Sequence, residues 1–140
     1  MAITQAMCNS YKADLLQGDM DSTDTYKIAL YTSSASLGAT TSAYTVTQEV
    51  ASGNGYTTGG KTLATFAVGS TGAVSYIEWD TDPAWTSSSF TARGALIYNS
   101  SKTNKAVCVL DFGSDKTTSN GTFTVVFPVF DEVTALIRLT

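Results

Sequence analysis

The sequence predicts an all-β protein, an antiparallel β-sandwich or barrel of about eight strands with one short N-terminal α-helix. Three observations support this fold class. Segments in which apolar and polar residues alternate recur along most of the chain, as is typical of half-buried strands. Turn signals rich in Gly, Asn, Asp and Ser separate these segments. Apolar residues at helical spacing stand out only near the N-terminus.

The first segment has the spacing of an amphipathic helix. Four large side chains recur every four residues, and Gly18 is placed to end the helix. We expect a helix of about 12–15 residues, which is too short to be stable unless its apolar stripe packs on another surface. That surface belongs either to a partner protein or to one end of the chain's own sandwich, and both alternatives stay open. The stripe consists of Ile3, Met7, Tyr11 and Leu15.

The first half of the β-region predicts two strands, a glycine-rich segment and a hairpin. Residues 26–32 alternate clearly, whereas residues 44–50 alternate only weakly. Residues 53–60 contain four glycines, which indicates either an ordered turn system or a flexible loop. Residues 62–68 and 73–79, joined by Gly-Ser-Thr-Gly, predict a β-hairpin.

The second half predicts four more strands. Residues 91–98 form a strong strand pattern, and residues 105–112 are nearly continuously apolar, which favours a central strand that is buried on both faces. A polar loop is expected at residues 113–121. Strands at residues 121–127 and 133–139 complete the predicted fold.

The length and the absence of linkers predict one domain over residues 1–140. We expect the helix within residues 1–18 and the sandwich over residues 25–140. The first ten residues lack the basic start and apolar run of a signal peptide, so we expect no leader. No stretch approaches the ~20 apolar residues of a membrane span, so we expect no membrane partner.

The composition argues against most catalytic chemistry and against nucleic acid. The chain has no histidine, which excludes Ser-His-Asp and Cys-His nucleophile systems and histidine-ligated zinc. Its eight Lys and Arg residues are scattered and its net charge is −4, so no basic stripe is available to bind phosphates. We therefore expect a protein that is not an enzyme and that requires no cofactor.

Two cysteines, Cys8 and Cys108, are too few for a disulfide scaffold and lack metal-site spacing. We expect two reduced, buried thiols, although a disulfide between them stays open as the alternative.

Asp19, Asp21 and Asp24 form an acidic run that resembles the start of a calcium loop. The pattern departs from the EF-hand loop, which needs a glycine at its sixth position and a glutamate at its twelfth. An irregular calcium site is one interpretation. The alternative is a solvated loop in which aspartate and serine side chains bond the backbone.

A second acidic group, Glu78, Asp80 and Asp82, lies close in sequence to Trp79 and Trp85. Paired carboxylates beside aromatic rings are the machinery of glycosidases. The alternative interpretation is a strand end followed by a turn, which many acidic β-proteins contain.

Aromatic residues also suggest a sugar-stacking platform, with core packing as the alternative. The candidates are Tyr56, Tyr76, Trp79, Trp85 and Tyr98.

Several segments resemble a family of small virion structural proteins of tailed bacteriophages, common in marine and cyanobacterial phage genomes. They include Ala-Arg-Gly-Ala-Leu-Ile-Tyr-Asn at residues 92–99 and Leu-Asp-Phe-Gly-Ser-Asp-Lys at residues 110–116. Further segments are residues 7–12, 14–18, 25–35, 49–50, 53–60, 106–109 and 135–139. The resemblance covers most of the chain and carries no catalytic motif.

The resemblance implies a virion protein that is assembled in the host cytoplasm. The role it favours is that of a capsid decoration or cement protein bound non-covalently to the major capsid protein. It also implies a homo-oligomer. The stripe Ile3, Met7, Tyr11 and Leu15 is the expected partner-binding element, and an open strand edge near Pro128 is a further candidate. The alternative is a tail, neck or fibre component that binds a host glycan.

Overall fold

The computed structural model describes residues 2–140, which form ten β-strands and one α-helix. The predicted all-β class with a single short helix is confirmed. In chain order the elements are β1 (Ala6–Met7), α1 (Asn9–Gln17), β2 (Tyr26–Tyr31), β3 (Lys61–Thr62), β4 (Phe66–Thr71), β5 (Val74–Trp79), β6 (Ala84–Ser88), β7 (Thr91–Asn99), β8 (Lys105–Thr117), β9 (Gly121–Thr124) and β10 (Ile137–Leu139).

The strands pair antiparallel in three sheets. The largest sheet has the order β1-β8-β7-β2-β3, the second has the order β10-β5-β4, and β6 pairs with β9 in the third. Within residues 2–140 no sheet closes on itself, so the arrangement is sandwich-like and not a closed barrel. No helix in the described part of the chain is long and apolar enough to cross a membrane.

Aromatic contacts join the three sheets around one core. Tyr26 of β2 packs against Phe66 of β4 and Trp79 of β5, with ring centroids 5.2 Å apart in both pairs. Phe123 of β9 lies 6.0 Å from Phe112 of β8. Such pairs bury large apolar areas and favour tilted or offset ring geometry, so they fix how each sheet lies on the next.

Strand β8 lies inside the largest sheet, between β1 and β7. Residues 106–109 are buried, which confirms the central position expected from their apolar run. The strand is longer than predicted, because residues 113–117 continue it where the sequence predicts a loop. Lys116 and Thr117 pair there with Ala92 and Thr91 of β7. These polar residues extend the hairpin into solvent, where no apolar pattern is needed.

The N-terminal helix is shorter than predicted and begins later. Ala6 and Met7 pair with β8, and Ile3 forms a bridge with Leu37, so the helix begins only at Asn9. The prediction of one helix from residue 3 is wrong, because the backbone hydrogen-bonding groups of residues 3–7 pair with neighbouring strands and loops instead. Gly18 does end the helix as expected, in the left-handed region at φ 70°.

Two other predicted strands of the first half differ from the structure. Residues 44–50 form no strand. A bridge from Glu49 to Tyr31 and the hydrogen bond from the N–H of Val50 to the carbonyl of Leu30 tie them to the sheet. Residues 62–68 divide into the end of β3 and the start of β4, because Thr65 has a positive φ of 58° that breaks the pairing. The predicted hairpin is confirmed in β4 and β5, where Thr71 pairs with Val74.

The C-terminal strands are shorter than predicted. β9 ends at Thr124 and β10 begins only at Ile137, so residues 125–136 form a long connection between them. Pro128 lies within this connection and cannot donate to a sheet ladder. The sequence does not predict β6, because that strand is mostly polar, although Trp85 and Ser88 are buried.

Candidate functional site

The predicted docking stripe does not form one exposed helical face. Ile3 and Tyr11 are buried in the chain's own core, and Met7 and Leu15 are partly buried against it. Ile3 and Tyr11 therefore pack against the chain's own sandwich, which is the second of the two alternatives given by the sequence. Contact of Met7 or Leu15 with a partner stays a prediction. On the helix, Leu16 is the large apolar side chain left in solvent, 91% exposed.

The acidic run at the end of the helix is used within the fold. The side chain of Asp21 accepts hydrogen bonds from the hydroxyl and N–H of Thr23, which lower its pKa. Asp24 accepts a hydrogen bond of 2.8 Å from the side-chain amide of Asn99. Asp19 lies 2.9 Å from Nζ of Lys105, which lowers the pKa of that carboxyl.

These contacts match the alternative of a polar loop. Across residues 2–140 no group of three acidic, cysteine or histidine side chains is arranged to hold a metal ion. The carboxylates of Asp19, Asp21 and Asp24 instead tie the loop to the sheet and to its own backbone.

Of the two interpretations of the aromatic residues, core packing describes the tryptophans. Trp79 is 2% exposed and Trp85 is 3% exposed. Tyr56 and Tyr98 are buried as well, and Tyr76 is half-buried. A stacking platform needs exposed ring faces, so this set of aromatic side chains cannot provide one.

The glycine-rich segment is an ordered turn system organised by Glu49. The carboxylate of Glu49 accepts hydrogen bonds from the hydroxyls of Tyr44 at 2.6 Å and Tyr56 at 2.7 Å, and from the N–H of Gly59 at 2.7 Å. The hydroxyl of Tyr98 donates to the carbonyl of Gly59 at 2.6 Å. Burial, and then proximity to Glu49, raise the pKa values of these tyrosines.

Both cysteines are free and buried, as expected. Burial raises the pKa of the Cys8 thiol to about 11 and also raises the pKa of Cys108. The two thiols therefore have the properties of inert core residues and not of a reactive pair.

Glu78, Asp80 and Asp82 do come together, and they line one pocket of about 390 Å³. We call this the acidic pocket. Its other walls are Thr65, Ala67, Trp79, Phe127, Pro128 and Phe130. The three acids can be singled out from the sequence, but their shared cavity depends on residues 125–136 folding back over the end of β5.

Glu78 is the unusual member of the acidic pocket. Its side chain is on β5 and the residue is 3% exposed, and Oε1 is buried without a hydrogen-bond partner in the described chain. Burial, with the like charges of Asp82 and Asp131 adding to it, raises the pKa of Glu78 to about 7. The N–H of Leu136 acts in the opposite direction. A carboxyl in this state is partly protonated at neutral pH.

Beside the acidic pocket lies an exposed apolar loop, which we define as residues 126–133. Val126, Val129 and Val133 are 74%, 70% and 64% exposed, and Phe130 is 42% exposed. Asp131 holds the turn by accepting hydrogen bonds from the backbone and hydroxyl of Thr134 at 2.6 and 2.8 Å. Four large apolar side chains are therefore displayed on one short, internally bonded segment.

The apolar loop also borders a larger groove of about 560 Å³. The groove lies between the loop and strand β8, and its walls are mainly apolar. They include Leu110, Phe112, Phe123, Val125, Val126 and Leu136. Sequence reasoning does not find this groove, because the alternation of residues 121–127 predicts a strand there. The apolar run on both sides of Pro128 is the signal that could have found it.

Comparison with known protein families, curated proteins and solved structures finds no match.

Proposed function

We propose that this protein is a structural component of a tailed-phage virion, specifically a capsid decoration protein that binds the major capsid protein non-covalently. The observation that carries the proposal is the apolar loop. Exposed apolar side chains that are contiguous and rimmed by polar residues mark protein interaction sites. The loop displays four exposed apolar side chains within residues 126–133, and the acidic pocket borders it.

The chemistry of the rest of the chain supports a binding role. With 14% charged residues and a net charge of −4, the surface offers few ions that must be desolvated at an interface. The resemblance to small virion proteins supplies the setting, a particle assembled in the host cytoplasm. In this proposal the protein acts as a homo-oligomer and needs neither a cofactor nor nucleic acid. The alternative location is the tail, neck or fibre.

The test is binding of the purified protein to heads of the source phage that lack it. We expect saturable binding with a fixed number of copies per capsomer, measured by co-sedimentation and cryo-electron microscopy. The double variant V129S/F130S should weaken binding strongly, because it removes two exposed apolar anchors.

Val68 provides the matched control. It is 63% exposed on the β4–β5 hairpin, outside the apolar loop, so V68S should bind normally. Protein that ignores heads but co-purifies with tails contradicts the decoration role and favours the alternative location.

One observation favours a second candidate function, an acid–base hydrolase of polymers. A pocket that holds several carboxylates, one of them with a raised pKa, is a feature of such enzymes. The test is hydrolysis of host-surface polysaccharides by the wild type and by E78Q. Activity that the wild type has and E78Q lacks supports this candidate, whereas equal activity in both removes it.

A further inference from the structure

The buried carboxylate of Glu78 has no counter-ion among the described residues. Oε1 has no hydrogen-bond partner there, and the residue is 3% exposed. The N–H of Leu136 bonds the carboxyl, but it cannot satisfy both oxygens. This is unfavourable, because a buried charge needs hydrogen bonds or an opposite charge to offset lost hydration. Glu78 lines the acidic pocket, so a positively charged group in the pocket would lie beside this carboxyl and offset its charge.

The charged residues that line the pocket are all acidic. Asp80 and Asp82 line it with Glu78, and Asp131 of the apolar loop is close enough to raise the pKa of Glu78. Within residues 2–140, no Lys or Arg is among its lining residues. Strand β4, which pairs with β5, has no charged residue. On the other side of β5, the exposed Arg138 of β10 lowers the pKa of Asp131 but does not line the pocket. The pocket therefore selects a cation.

The walls indicate which kind of cation fits. Trp79, Phe127 and Phe130 contribute aromatic surface, and Pro128 is also apolar. A calcium ion needs six or more oxygen ligands and gains nothing from such walls. An ammonium or guanidinium group on an aliphatic stem uses both features, because its head pairs with carboxylates and its stem packs on aromatic faces.

We propose that the acidic pocket receives a lysine or arginine side chain from the protein that the apolar loop contacts, an inference that rests on the proposed function. The exposed apolar residues beside the pocket favour a partner protein, and not a free small molecule, as the source of this cation. Val129 and Phe130 are exposed in the same loop that closes the pocket. The partner's surface therefore presents a basic residue beside apolar residues. The basic side chain enters the acidic pocket, and the partner's apolar side chains cover the apolar loop.

The isolated protein can be tested with n-butylguanidinium, which mimics an arginine side chain, and with n-butylurea, its neutral isostere. Binding is followed by NMR, through the shifts of the Trp79 indole N–H. We expect n-butylguanidinium to bind about 10–100-fold more tightly than n-butylurea, because hydrogen bonds to charged groups are stronger than those between neutral ones. E78Q should lose this preference, whereas D115N, which changes an exposed carboxylate outside the pocket, should keep it.

Three outcomes overturn the inference. The first is equal binding of the two probes to the wild type, and the second is an unchanged preference in E78Q. The third is displacement of n-butylguanidinium by micromolar calcium, which would identify a metal site instead.

Binding to phage heads separates this inference from the proposed function. If V129S/F130S abolishes head binding while E78Q leaves it unchanged, the decoration role stands and the basic side chain in the pocket is refuted. If wild-type protein prefers n-butylguanidinium but ignores heads, the pocket chemistry stands and the proposed partner is wrong.

Discussion

The hydroxyl of Tyr56 donates a hydrogen bond of 2.7 Å to Oε1 of Glu49, and this contact fixes the glycine-rich segment. The same hydroxyl accepts a hydrogen bond of 2.9 Å from the backbone N–H of Leu30 in the central sheet. Tyr56 is thus a link from β2 to Glu49, and Glu49 extends the link to the N–H of Gly59. Glu49 thus accepts two hydrogen bonds from the glycine-rich segment, which add to the backbone hydrogen bonds between Gly53 and Tyr56 in ordering it.

Replacing Glu49 with glutamine should cost about 2–4 kcal/mol of unfolding free energy, because hydrogen bonds to a charged acceptor are weakened and one acceptor oxygen is lost. Urea denaturation measures the change. E132Q, at a partly exposed position, is the matched control and should change stability by less than about 0.5 kcal/mol. Equal stability of E49Q and the wild type would contradict the organising role of Glu49.

Gly60 should tolerate no side chain. Its φ is 78°, and an added Cβ would overlap the carbonyl oxygen of Ile28 in β2. G60A should lose about 3–5 kcal/mol of stability or fail to fold, because the sheet must open to admit the methyl group.

Gly72 is the control that separates the steric clash expected in G60A from the cost of placing a side chain at positive φ. It also has a positive φ, 59°, but a Cβ added there would meet no atom within 4 Å. G72A should therefore cost only about 1–2 kcal/mol, the energy of placing a side chain in the left-handed region. Similar losses in G60A and G72A, compared by thermal unfolding, would mean that the contact with Ile28 is unimportant.

Glu78 should make the protein less stable as the pH rises from about 4.5 to about 7. Its pKa is about 7 in the folded protein against an ordinary value of 4.5, so the folded state binds more protons across this interval. E78Q should therefore be more stable than the wild type by about 1–3 kcal/mol at pH 8, and the advantage should vanish near pH 4.

Denaturation of the wild type and E78Q from pH 4 to 8.5 tests this sign. The difference between the two proteins isolates Glu78, because every other carboxyl is common to both. D115N is the control and should run parallel to the wild type. If E78Q also runs parallel to the wild type, the carboxyl of Glu78 is solvated.

The two thiols should be unreactive in the folded protein. With a pKa of about 11, roughly a thousandth of Cys8 is thiolate at pH 8, and Cys108 is buried as well. Ellman's reagent should label neither cysteine in native buffer and two per chain in denaturant. The single variants C8S and C108S should each lose one equivalent in denaturant. Rapid labelling of the native protein would contradict the burial of these side chains.

Strands with strong local signals are predicted well from the sequence. β2 has large apolar side chains at alternate positions, and the hairpin of β4 and β5 has a glycine at its turn. The period of four from Ile3 to Leu15 is misleading, because it spans an extended segment and a helix that bury the same kinds of side chain.

The candidate site is predictable only in part, since its geometry is not local. Glu78, Asp80 and Asp82 can be selected from the sequence because they are close along the chain. Asp131 and Phe130 follow about fifty residues later. The pairing of β10 with β5 and the hydrogen bond from the N–H of Phe127 to Asp82 bring their loop over the acids. The periodicity of the sequence does not predict that these two distant segments lie together.

The strand order of the largest sheet has a consequence for how fast the chain reaches its native state. Ala6 pairs with Val109, and Tyr26 pairs with Asn99. Both pairings close long loops, so the entropic cost of loop closure comes before the stabilising hydrogen bonds form. Folding on the order of milliseconds to seconds is expected for such connectivity, with the β7–β8 hairpin able to form first.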